Sequence, residues 1–219
     1  MTNEKSHTHL GYLLLSLLLS MLLYPFFEKG IKSRFLLNLA FSLILIAGLY
    51  TLRTSKKSFY FGVALATLNM VANLFLFSGG NPYADAVYRV SAIMFYAFIV
   101  HSLLKYILAS NQIDNDVLYG AVCVYLLIGI MWGVLYYLLE TVSPGSFQIN
   151  QNSEGTLQTH MLYFSFVTLT TTGYGDIVPL TAMAHSLSVL ESVTGVMYIA
   201  IMISRLISAF NAHSPTGRK

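Results

Sequence analysis

The stretch Thr170-Thr171-Thr172-Gly173-Tyr174-Gly175-Asp176, continued by Ile177-Val178-Pro179, decides how this sequence is read. It lies between two apolar segments that are each long enough to cross a bilayer. Two glycines flank a tyrosine, threonines precede them and an aspartate follows. Irregular backbone at membrane depth is tolerated only where it is buried in protein or lines a wet cavity. The stretch is therefore a candidate lining for an aqueous path.

Composition places the chain in a membrane. Of its 219 residues 56% are apolar and only 10% are charged, and the mean hydropathy is +0.66. A soluble chain of this length needs far more charge to cover its surface. The net charge of +3 comes from cations scattered at segment ends, which excludes a basic patch suited to nucleic acid. The single Cys123 lies inside an apolar run and supports no disulfide framework.

Outward from the opening stretch, the apolar runs are Leu10–Phe27, Phe35–Leu52, Phe59–Phe77, Ala84–Ala109, Val117–Glu140 and Ala182–Phe210. Each approaches or exceeds the length needed for a ~30 Å hydrocarbon core. The first is longer than a signal-peptide core and is followed by Tyr24-Pro25-Phe26-Phe27 rather than a small-x-small site, so an uncleaved span is expected. The segment Leu157–Thr170 is too short to cross, since about 14 residues of helix span only ~21 Å. A half-helix that dips in, an extended return and a final crossing helix follow from these lengths. The expectation is an all-α membrane protein with six transmembrane helices, a re-entrant pore helix and an extended filter.

The predicted organisation is an N-terminus at 1–9, a four-helix peripheral unit at 10–109, a linker at 110–116, a pore domain at 117–210 and a tail at 211–219. With both termini cytoplasmic, Lys5, Arg53, Lys56, Lys57, Lys105, Arg205, Arg218 and Lys219 lie inside, against Lys29, Lys32, Arg34 and Arg89 outside. The excess agrees with the positive-inside rule, although the turn Lys29–Arg34 opposes it. No N-x-Ser/Thr sequon occurs, which suits a plasma (cell inner) membrane of prokaryotic type.

A desolvated cation needs its water oxygens replaced, and rings of backbone carbonyls supply them. Successive carbonyls face one side only if alternate residues take unusual backbone angles, and glycine reaches positive φ without steric cost. Gly173 and Gly175 meet that need, and Thr171 offers a hydroxyl at the inner mouth. The half-helix would point the partly negative end of its dipole at a resting cation.

These residues closely resemble the selectivity filter of the potassium channel superfamily, Thr-Val/Ile/Thr-Gly-Tyr/Phe-Gly-Asp. The resemblance is strong over Tyr163–Pro179 and looser along the fifth and sixth spans. It implies that carbonyls of Thr171, Thr172, Gly173 and Tyr174, with the Thr171 hydroxyl, coordinate K⁺, that Gly175 completes the filter and that Asp176 concentrates cations at the outer mouth. One motif per chain implies a homotetramer in membrane lipid, with K⁺ in the filter and no other cofactor. Many relatives brace the filter with two tryptophans and some with a pore-helix glutamate; Tyr163, Phe164 and Val167 stand at those positions here.

Glu191, about two turns into the last span, is an expensive place for a carboxylate and reads as functional by default. It is expected either to pack against a pore-helix hydroxyl such as Thr168 or Thr170, or to brace the filter in place of the missing glutamate. Gly195 matches the bend point of the inner helix in many relatives, as a hinge or a packing notch. Val196, Ile199, Ile203 and Ile207 recur at helical spacing and could line a cavity that closes by dewetting. Arg205 is placed to snorkel to the interface.

The fourth span lacks sensor charge. Each moved charge contributes only ~2.3 kcal/mol per 100 mV, so several are needed, yet steps of three from Arg89 read Ala92, Phe95, Phe98 and His101. Little or no voltage sensing is expected. The nine residues after Phe210 are too few for a ligand-binding domain. Two other classes compare less well: a K⁺ uptake transporter subunit, whose families usually repeat a degraded filter, and a non-conducting modulatory subunit. No metal cluster, nucleophile elbow or phosphate loop supports an enzyme.

Overall fold

The structure, a computed structural model, describes residues 9–27, 56–77, 82–110, 114–149 and 155–213. In chain order its elements are α1 (His9–Phe27), α2 (Lys56–Phe77), α3 (Pro82–Ala109), α4 (Asn115–Val142), β1 (Phe147–Ile149), α5 (Leu157–Leu169), β2 (Ile177–Pro179) and α6 (Ala182–His213). The expected second span, 35–52, lies outside the described residues, as do 1–8. Asp85–Ala109, Asn115–Val142 and Ala182–Ser208 are long and apolar enough to cross a membrane, while α1 and α2 carry the shorter apolar stretches Leu10–Leu23 and Phe59–Phe75.

Helix starts follow local chemistry. Pro82 opens α3, where its missing N–H costs nothing. Asp114 caps α4 by accepting from the Val117 amide at 2.9 Å. That cap draws Asn115 and Asp116 into the helix, two residues earlier than the apolar run alone suggested. Likewise Lys56 and Lys57, which precede the apolar run Phe59–Phe77, form the first turn of α2.

α4 is the central post, packing against α1, α3, α5 and α6. Its Val117, Val124 and Leu127 share one core with Leu10, Leu13 and Leu17 of α1 and with Phe95, Ile99, Leu103 and Ile107 of α3. The four α3 residues recur every four positions and so form one face. α2 joins through buried Asn69, whose amide donates to the Tyr88 carbonyl at 3.3 Å and to the Ser91 hydroxyl at 3.1 Å. A second core, Tyr136, Phe147, Met161, Phe164, Ile177 and Ala184, lies behind the filter stretch.

The two strands were not anticipated. β1 and β2 pair antiparallel, with Phe147 opposite Pro179 and Ile149 opposite Ile177. They clip the segment after α4 to the segment after the filter. Glu140, in the last turn of α4, accepts from the amides of Gly145 at 2.8 Å and Phe147 at 3.0 Å and so fixes the entry to β1.

Candidate ion-conduction site

α5 is the half-helix expected from its length. It spans 13 residues and is seated in a groove made by glycines. A β-carbon at Gly129 would come within 2.6 Å of the Phe166 ring, and one at Gly133 within 3.0 Å of the Leu162 backbone. On the other side, a methyl at Gly195 would overlap the Leu169 carbonyl oxygen. Small residues let helix backbones approach closely in a membrane. Gly195 is thus a packing notch beneath the end of the half-helix, and the Gly129–Gly133 pair was a readable signal that the sequence reading missed.

The filter stretch leaves α5 with its amides turned back. Thr171 N–H donates to the Thr168 carbonyl at 2.9 Å, and the amides of Thr172 and Gly173 donate to the Val167 carbonyl at 2.9 and 3.3 Å. The Val167 carbonyl therefore holds the backbone of Thr172 and Gly173 against the end of α5. Left-handed φ angles fall on alternate residues, 57° at Thr171, 56° at Gly173 and 80° at Gly175. Alternation of this kind is what brings successive carbonyls to one side. Thr171 was not expected to share it, because a β-branched residue in this region is a genuine outlier. Residues 171–176 are all exposed on the single chain, Tyr174 at 72%.

Asp176 is held rather than free. The Tyr163 hydroxyl donates to its carboxylate at 2.7 Å, and the Ile177 amide donates to the other oxygen at 3.1 Å. Phe164 turns away from the filter and packs edge-on against Tyr136 and Phe147, with ring centroids 5.1 and 5.2 Å away. Such edge-to-face pairs add about 0.5–1.5 kcal/mol each beyond burial.

Glu191 is 0% exposed. The expected partners, the hydroxyls of Thr168 or Thr170, are not its partners. Tyr136 of α4 donates to Oε2 at 2.6 Å, and the Ser165 hydroxyl of α5 lies 2.5 Å from Oε1 and 2.6 Å from the Gly129 carbonyl. The reason is register: Thr170 turns its hydroxyl to the Phe166 carbonyl, and Thr168 offers its own carbonyl to Ser192 at 3.3 Å. One carboxyl thereby joins α4, α5 and α6. A buried acid survives only when paired and hydrogen-bonded in this way.

Further along α6, Val196, Ile199, Ile203 and Ile207 are exposed on the single chain. The opposite face carries Tyr198 and Arg205. Arg205 does not snorkel freely; one guanidinium nitrogen sits 2.7–2.9 Å from three carbonyl oxygens at the end of α3.

Arg89, the cation at the head of the expected sensor helix, is 7% exposed. It pairs with Asp85 at 3.3 Å, and its guanidinium lies 3.9 Å from the centre of the Tyr137 ring. With Arg89 buried and Tyr137 half-buried, such a stack is worth about 1–2 kcal/mol.

A 13-residue helix, a following backbone with left-handed φ on alternate residues and two flanking helices long and apolar enough to cross a membrane make up this region. Residues 121–212 match the family described as Ion channel. The chain is similar to two-pore potassium channel 4 of Arabidopsis thaliana, 39% identical over 77 residues. That alignment covers 34% of this chain and 27% of the plant protein, so the likeness spans about a quarter of that relative. No solved structure matches the chain significantly.

Proposed function

We propose that the chain assembles as a homotetramer around a single K⁺-selective pore and conducts passively, with little or no voltage sensing. The alternation of left-handed φ at Thr171, Gly173 and Gly175 carries this reading. It is the backbone that ring coordination of a bare cation requires. The carbonyls of Thr171, Thr172, Gly173 and Tyr174 and the Thr171 hydroxyl would face the ion, with Asp176 outside. The similar plant protein is named a potassium channel, which supports K⁺ as the cargo.

Exposure supports the tetramer. The filter and the apolar face Val196–Ile199–Ile203–Ile207 are open on one chain, and four copies would place them around an axis and against neighbours. Arg89, neutralised by Asp85 and stacked on Tyr137, supports a fixed α3 rather than a moving sensor. The six-span arrangement, cytoplasmic termini and plasma-membrane location belong to the same proposal. Purified protein in planar bilayers with opposed K⁺ and Na⁺ gradients tests it: a reversal potential that follows K⁺ is expected, and one that ignores K⁺ ends the reading.

Glu191 is proposed to brace the filter by tying α5 to α4 and α6. Glu191→Gln should lower the K⁺/Na⁺ permeability ratio and shorten openings. If both stay at wild-type values, Glu191 has no such role.

A further inference from the structure

The face of α6 that packs into its own subunit recurs at Glu191, Gly195, Tyr198, Met202 and Arg205, in steps of four and three that keep one side of a helix. Its first two members serve the half-helix. The last members reach elsewhere. The Tyr198 hydroxyl donates to the Ala121 carbonyl of α4 at 2.6 Å, and its ring lies 5.7 Å from that of Tyr125.

Two turns on, Arg205 Nη2 lies 2.7 Å from the carbonyl oxygen of Ile107, 2.8 Å from that of Leu108 and 2.9 Å from that of Ser110. The last carbonyls of a helix lack intrahelical partners and carry the negative end of its dipole. α3 has no basic residue in its own last turn. Its cap is a cation supplied by α6, almost a hundred residues later in the chain.

The position of this cap matters because the opposite face of α6 is the apolar one. Any displacement of the far half of α6 towards that face must pull the guanidinium off the α3 carbonyls. Met202 between the two ties is buried and adds no polar restraint.

We propose that Arg205 is a positioning residue for the pore: it latches the far half of α6 to the end of α3, and so couples the peripheral helices to the width of the inner mouth. This inference rests on reading α6 as the cavity-lining helix. Because the latch pulls from the side away from the apolar face, it holds α6 back and favours the wide mouth.

The test is single-channel recording of Arg205→Met in bilayers, beside hydrogen exchange at the Ser110 amide in the same purified protein. A charge-assisted helix cap is worth on the order of a tenfold change in an equilibrium. Open probability should fall by about that factor, with unitary conductance and K⁺/Na⁺ ratio unchanged, and the Ser110 amide should exchange several-fold faster. Arg205→Lys, which keeps a charged donor, should restore most of the open probability.

An unchanged open probability overturns the latch even if exchange quickens, since Arg205 would then be only a cap. A fall in selectivity alongside it also overturns the latch, because the effect would be global. If the wild type carries no current, the channel reading fails separately, and unchanged exchange at Ser110 would still dispose of the tie.

Discussion

The two ends of α6 are held by opposite means. Near the filter, Gly195 brings helix backbone against the Leu169 carbonyl, and Glu191 is gripped by hydroxyls from two other helices. At the far end, Tyr198 reaches on a long side chain to one carbonyl of α4, and Arg205 to three carbonyls at the end of α3. Backbone in direct contact cannot shift without a clash, whereas a hydrogen bond on a long side chain can break and reform. One helix thus has a fixed end where geometry must be exact to a fraction of an ångström and a yielding end where movement is affordable.

The sharpest way to break this contrast is Gly195→Ala. The added methyl meets a backbone oxygen, not a flexible side chain, so overpacking should cost about 3 kcal/mol or more. Thermal unfolding of the purified assembly should drop steeply and K⁺ current should vanish; a stable, selective Gly195→Ala channel would mean the fixed end is not fixed. Next comes Glu191→Leu, which strands the Tyr136 hydroxyl in a buried site at ~1–3 kcal/mol and leaves Ser165 only the Gly129 carbonyl. Loss of selectivity should accompany the loss of stability.

Tyr198→Phe is milder. It removes one hydroxyl from the Ala121 carbonyl, about 0.5–1.5 kcal/mol, and should alter open probability while leaving the K⁺/Na⁺ ratio intact. Equal effects of Glu191 and Tyr198 substitutions on selectivity would erase the distinction between the ends. Smallest of all, Arg89→Met should leave the steepness of any conductance–voltage curve unchanged, because a guanidinium stacked on Tyr137 moves no charge. A shallower curve would make α3 a sensor after all.

How far the sequence foretold this depends on the kind of constraint. The left-handed backbone after α5 was legible because few residues tolerate it, and Gly173 and Gly175 stand where it occurs. The half-helix was legible from length alone. Glu191 stood out as an acid in an apolar run, but its partners depend on the register of three helices against one another, which no single segment carries. Tyr136 and Ser165 are ordinary residues until that register is set. The β1–β2 clip was missed because three-residue strands are too short to show a period. Gly129 and Gly133 were missed although a small residue every fourth position in an apolar helix is a known sign of close packing. Arg205 was assigned to the interface because its own segment gave no hint that α3 ends beside it.

Thr171 carries a consequence of its own. A branched side chain held at φ 57° costs about 1–2 kcal/mol that a glycine there would avoid. Under the proposed function, the residue is wrong for the shape and right for the oxygen it brings. If that oxygen is repaid only when an ion sits against it, cation binding and filter conformation are thermodynamically linked. The cargo then acts as a stabilising ligand of the protein that carries it, and resistance to unfolding should climb with K⁺ concentration in the manner of any ligand that binds only the native state.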